Sequence, residues 1–85
     1  MQVQEAFKAL SDPTRRAIIL LVKDHKKSAG EIVSQFSSTN ATISHHLAVL
    51  KEADLILDER DGKFIYYELN SKTVKALIDW LKALK

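Results

Sequence analysis

Between residues 28 and 51 the chain reads SAGEIVSQFSSTNATISHHLAVLK, two helical patterns joined by a polar turn. Ala29, Ile32, Val33 and Phe36 recur at helical spacing across 28–36. Ser37, Ser38, Thr39 and Asn40 follow, a run without an apolar side chain that favours turns and N-caps. From Ala41 the helical pattern resumes, with Ile43, Leu47 and Leu50 at i, i+4 and i+7. The opposite face carries Asn40, Ala41, Ser44, His45 and Ala48, all small or hydrogen-bonding, with no carboxylate. A helix that meets only water normally carries Lys and Glu there. A helix pressed into the DNA major groove instead needs low bulk and short donors or acceptors for base edges. The pattern therefore predicts a helix-turn-helix over 28–52 whose second helix reads DNA. Asn40, Ala41, Thr42, Ser44 and His45 form its reading face. Thr39 is the expected N-cap, and Ser37 and Thr39 hold the DNA backbone. The acid that completes a capping box is replaced by Thr42, which leaves the helix N-terminus open to a phosphate.

The flanking segments read as helices and a hairpin. Val3, Ala6, Phe7 and Leu10 predict a first helix over 2–10. Asp12 and Pro13 suit the N-cap and first position of a second helix, which runs to about Asp24. Its run 17–22 is wholly apolar, so Ile18, Leu21 and Val22 with Ile19 and Leu20 predict a helix buried on most sides. Arg15 and Arg16 lie at the helix end that its dipole disfavours for cations. They read either as solvated charges or as contacts to phosphate or a second chain. His25-Lys26-Lys27 reads as a basic turn, and Gly30 as a place of close packing. Asp61-Gly62 between two β-prone runs predicts a hairpin within 55–69, with Arg60 and Lys63 beside the turn as backbone-contacting cations. Asn70 or Ser71 caps a last helix, 71–84. Val3 and Phe7 on the first helix, with Leu77, Trp80, Leu81 and Leu84 on the last, exceed what one small core covers, which predicts a two-fold homodimer interface.

Three ordered blocks, SDPTRRAIILL, TNATISHHLAVLKEADLI and ERDGKFIYYEL, resemble the ArsR-type winged-helix repressors across residues 6–69, most nearly the short cysteine-free branch that includes autorepressors. The resemblance implies a mainly α fold with a small β-hairpin, a winged helix-turn-helix in the order α-α-α-α-β-β-α, dimerising through its first and last helices. It implies double-stranded DNA with a palindromic operator as partner, a second copy of the chain, and room for a regulatory protein that relieves repression. Many such proteins sense metals through cysteines before the reading helix or His and acid pairs on the last helix. Here those regions offer only Glu31 and Asp79, so no metal or other cofactor is expected. Asp54 stands where the family usually has Gly, Ser38 where it has an apolar residue, and Asp58 and Glu59 where it is often basic.

At 85 residues with 46% hydrophobic and 28% charged content, the chain suits one globular domain, 1–85. A net charge of +2 permits nucleic-acid binding without requiring it. There is no cysteine, hence no disulfide or thiolate chemistry. The start, MQVQEAFKAL, lacks a signal-peptide pattern and no run is long enough to span a bilayer, so a cytoplasmic protein not inserted in membranes is expected. His45 and His46 are adjacent and point apart on a helix, so they do not chelate one ion, and no catalytic motif occurs. His46 adjoins the apolar stripe and is expected to be partly buried and structural, bonding backbone or a phosphate. Two rivals stay open: a protein-interaction module of the same shape, which the acidic hairpin strand favours, and a repressor that answers to a small molecule.

Overall fold

In the computed structural model, which describes residues 3–85, the core gathers around three residues of one helix. Ile43, Leu47 and Leu50 are buried together with Ala6, Ile18, Ile32, Ile56 and Leu77, each from a different element or its edge. The elements run α1 (Val3–Ala9), α2 (Pro13–Val22), β1 (Lys27–Ser28), α3 (Ala29–Val33), α4 (Asn40–Glu52), β2 (Ile56–Asp61), β3 (Phe64–Leu69) and α5 (Ser71–Lys82). This is a mainly helical winged-helix arrangement with a small antiparallel sheet. The expected helix over 2–10 is seen as Val3–Ala9, and Gln2 lies outside the described residues.

Three local signals act as their chemistry requires. The Asp12 side chain accepts the Arg15 backbone N–H, and Pro13 occupies the first turn of α2. Asp54 adopts φ 61°, the left-handed conformation that stops α4. The Leu55 N–H then donates to the Leu50 carbonyl and the Asp54 N–H to that of Lys51, both at 3.0 Å. This pair of bonds closes the helix and turns the chain directly into β2. Asn70 stands at the N-cap of α5, although its side chain makes no capping bond.

Several expectations are corrected. The sheet has three strands in the order β1-β3-β2, because Lys27 and Ser28 pair with Tyr67 and Tyr66 where a basic turn was expected. Two residues are too few to show a period in sequence. Ser28 is also the N-cap of α3 in a full capping box with Glu31, a signal visible in the S-x-x-E spacing. The first helix of the pair is short, ending at Val33 with Phe36 in the turn. The second helix ends at Val22 and is not buried on most sides: Leu20 is 65% exposed, since it lies about 200° around the axis from Ile18.

The hairpin turn sits one residue later than Asp61-Gly62. Asp61 pairs with Phe64, and Gly62-Lys63 form the two-residue loop. Gly62 takes φ 63° at the first central position, while Lys63 keeps a negative φ, as a type II′ turn requires. Gly30 does not serve close packing, because a Cβ built there meets nothing within 4 Å.

The two glycines should answer alanine with opposite signs. Gly30→Ala raises stability by about 0.5–1 kcal/mol, through better helix propensity and a less flexible unfolded chain. Gly62→Ala lowers it by about 1 kcal/mol or more, because an L side chain is strained at that φ. Urea unfolding at one fixed protein concentration checks both.

Candidate nucleic-acid interface

Helix α4 is pinned along one side by Ile43, Leu47 and Leu50, and this pinning presents the other side to solvent. Asn40, Ala41, Thr42, Ser44, His45 and Ala48 are all exposed there, and none is covered by the chain itself. The expected reading face is therefore one continuous, acid-free helix surface. Thr39 is the N-cap, and its Oγ1 accepts the Thr42 N–H at 3.1 Å. The same hydroxyl donates to Thr42 Oγ1 at 3.0 Å. That leaves the Thr42 O–H as the free donor of the pair, aimed by its neighbour. No acidic residue lies in the first turn of α4, so its N–H groups face solvent without a competing carboxylate. Ser37 is exposed in the preceding turn.

His46, next to the exposed His45, is largely enclosed, with 13% of its side chain accessible. Arg15 Nη1 lies 3.2 Å from His46 Nδ1. A guanidinium only donates, so Nδ1 accepts and the ring proton sits on Nε2, which lies 4.0 Å from Asp12 Oδ2. His46 is partly buried beside the apolar stripe as expected, but its partners are the Arg15 and Asp12 side chains where backbone or a phosphate was expected. Arg15 and Arg16, however, are neither simply solvated nor turned outward. Arg15 Nε donates to the Ala9 carbonyl at 2.6 Å, and Arg16 Nη1 donates to that of Leu10 at 2.8 Å. Both cations serve the carbonyl end of α1, where the helix dipole welcomes them. No sequence spacing marks this, because the acceptors belong to a different helix.

At the hairpin tip, Arg60 is exposed and pairs across the strands with Ile65 rather than flanking the turn with Lys63. Lys63 lies in the loop itself, its Nζ 5.6 Å from the Phe64 ring centroid. Neither cation pairs with a carboxylate among the described residues. Two of the three acids of the same strand are engaged otherwise, while Asp61, next to the loop, has no cation partner among the described residues. Asp58 takes Lys51 Nζ at 2.9 Å, and the hydrogen bond holds the Lys51 ammonium above its ordinary pKa. Glu59 lies 3.8 Å from Lys26, which also stands 5.2 Å over the Tyr66 ring. These exposed pairs contribute little stability, but they offset the negative charge that would oppose a phosphate.

The first and last helices meet through Phe7 and Trp80, edge to face with ring centroids 5.5 Å apart. Phe7, Ile78, Trp80, Leu81 and Leu84 remain 37–68% exposed, large apolar side chains left on the surface of the two terminal helices and the segment after α5. Val3 is half-buried on α1. Leu77, expected to lie with these residues, is corrected: at 5% exposure it belongs to the chain's own core, one helical turn inward of Leu81. Leu84 lies beyond the end of α5. Among the described residues, no group of three His, Cys, Asp or Glu stands close enough to share a metal ion. Glu31 instead accepts the Ser28 N–H at 2.9 Å.

Two carboxyls have lowered pKa values, Asp12 chiefly through the Arg15 N–H and Glu31 chiefly through the Ser28 N–H. Each therefore stabilises the fold above its ordinary value, 3.8 and 4.5, and that contribution is lost as pH falls through the lowered folded value. Urea midpoints measured from pH 6 down to pH 3 should fall less steeply for Asp12→Asn combined with Glu31→Gln than for wild type.

Comparison with known proteins agrees with this geometry. Residues 12–57 match the family described as bacterial regulatory protein, arsR family. The transcriptional repressor SdpR of Bacillus subtilis is 46% identical over 79 residues, covering 93% of this chain and 88% of the relative. HlyU of Vibrio cholerae, named a transcriptional activator, is 31% identical over 78 residues, covering 92% of this chain and 72% of the relative. The solved structure of reduced HlyU from Vibrio cholerae superposes with a TM-score of 0.78 at 30% identity, covering 95% of this chain and 85% of that one. An ArsR family transcriptional regulator at 22% identity shares the fold with a TM-score of 0.89, over 96% of this chain and 84% of that one. With the family match spanning the stripe that anchors α4, and the SdpR relative covered nearly end to end, the chain belongs to the arsR family of bacterial transcriptional regulators.

Proposed function

We propose that the chain is a homodimeric repressor that binds a palindromic operator in the cytoplasm, each α4 entering a major groove. The observation that carries this reading is the α4 face from Asn40 to Ala48, exposed, free of acids over those positions and backed by the core, with Glu52 one turn beyond it. Asn40 offers both a donor and an acceptor, the pattern that pairs with adenine, and Ser44 and His45 stand one turn further on. Ala41 and Ala48 allow close approach. Ser37, Thr39, Arg60 and Lys63 hold phosphates on either side. The Phe7–Trp80 flank, with Val3, Leu81 and Leu84, meets its counterpart on the second copy.

The pairing of Asp58 with Lys51 and Glu59 with Lys26 weakens the rival protein-interaction reading, which leaned on those acids. Repression is preferred to activation because the chain shares more of its sequence with the relative named a repressor than with the one named an activator. Occupying promoter DNA is sufficient mechanism for it. With neither of the usual metal-ligand sets in place, release from DNA falls to a small molecule, a regulatory protein or the repressor's own concentration.

Gel-shift titration of a palindromic fragment, selected with wild-type protein, tests the reading. Asn40→Ala should lose about 1–3 kcal/mol of discrimination between the cognate site and its base substitutions, and His45→Ala should also lose sequence preference. If both bind the same site unchanged, the reading face is wrongly assigned. Arg60→Ala with Lys63→Ala should weaken binding to all sequences alike and flatten the log–log salt dependence by about 2. Leu81→Glu should give monomers by sedimentation and weak binding to the palindrome, while the wild type sediments as a dimer.

A further inference from the structure

The Arg15 side chain, carried on α2, reaches two other helices at once. Its Nε and Nη2 donate to the Ala9 and Lys8 carbonyls at the end of α1, at 2.6 and 3.4 Å. Its Nη1 meets His46 Nδ1 in the middle of α4 at 3.2 Å. Its own backbone N–H donates to Asp12 Oδ2 at 3.0 Å, and that carboxylate also faces His46 Nε2. Only a planar fork of several donors makes these contacts together; a lysine would supply one point charge. Arg16, its neighbour, contacts α1 alone, through the Leu10 carbonyl. His46 lies one turn from Thr42, but with 13% of its side chain accessible it is enclosed beside the reading face rather than part of it.

We propose that Arg15 and His46 are positioning residues: they form a strut between α1 and α4 that sets the angle of the reading helix relative to the subunit interface. The inference rests on the dimeric DNA-binding reading above. Two reading helices in a two-fold dimer must match two half-sites at a fixed spacing. Any rotation of α4 against α1 changes that spacing in both subunits. A subunit bound to one half-site has no such requirement. The strut therefore acts on the preference for the whole palindrome over a single half-site, and less on the half-site affinity itself.

His46 can be replaced in two ways that separate this role from mere filling of space. In His46→Asn the amide oxygen stands near the place of Nδ1 and can still accept from Arg15. In His46→Gln the amide reaches the place of Nε2, and the acceptor facing Arg15 is lost. The measurement is the ratio of affinities for the palindrome and for a fragment with one half-site scrambled, by fluorescence anisotropy. Because both affinities scale with the fraction of folded protein, the ratio survives partial unfolding. The ratio should fall at least tenfold in His46→Gln and Arg15→Gln, and stay within about threefold of wild type in His46→Asn and Arg16→Gln. A palindrome with one base pair inserted at its centre should be discriminated less by the two impaired variants than by wild type. Equal ratios for the Asn and Gln variants, or for the Arg15 and Arg16 variants, overturn the strut while leaving DNA reading intact. Absence of binding by wild type to any palindrome overturns the underlying reading and the strut with it.

Discussion

Burial of Ile43, Leu47 and Leu50 against the rest of the core is the interaction on which the arrangement depends. Each of these side chains brings on the order of 1.5–3 kcal/mol when removed from water, enough to fix the rotation of α4 about its axis. Once that rotation is set, the residues on the opposite side have no freedom in where they point. From Asn40 to Ala48 they carry no acid, and the first one on that side is Glu52 in the last turn. The Asp54 stop, at φ 61°, then carries the same helix straight into the hairpin, so α4 and the β2–β3 hairpin are built from one continuous segment.

Charge is distributed with the same economy. The chain's formal charge is only +2, so its cations and anions must be placed rather than summed. Arg15 and Arg16 face carbonyls at the end of α1. Asp58 and Glu59 are answered by Lys51 and Lys26. Asp12 and Glu31 cap the N-termini of α2 and α3. The tip of the hairpin thus keeps Arg60 and Lys63, which have no carboxylate partner among the described residues.

The apolar flank around Phe7 and Trp80 follows from a shortage of core. A domain of this length cannot surround two terminal amphipathic helices on every side. Ala6, Ala9, Thr73 and Leu77 face inward, and the larger Trp80, Leu81 and Leu84 are left outside. This is the surface that the proposed two-fold pairing covers.

Periodicity and caps made much of this legible. The stripe of α4, the Thr39 and Asp12 caps, the Asp54 stop and the existence of a hairpin all follow from interactions within a few residues along the chain. The small, acid-free character of the reading face was likewise a property of one helix. Other features had no local trace. The one-residue shift of the hairpin turn depended on which central position took the positive φ. The strand at Lys27–Ser28 exists because β3 lies alongside it. The outward turn of Leu20 and the inward turn of Leu77 were set by where neighbouring helices lie. One partner of Arg15 and that of Lys26 are distant in sequence: His46 is 31 residues from Arg15, and Glu59 lies on the hairpin. Local backbone preferences act over one or two turns and can be read from residue order. Contacts between elements depend on how those elements are brought together, and no spacing within a single element encodes that.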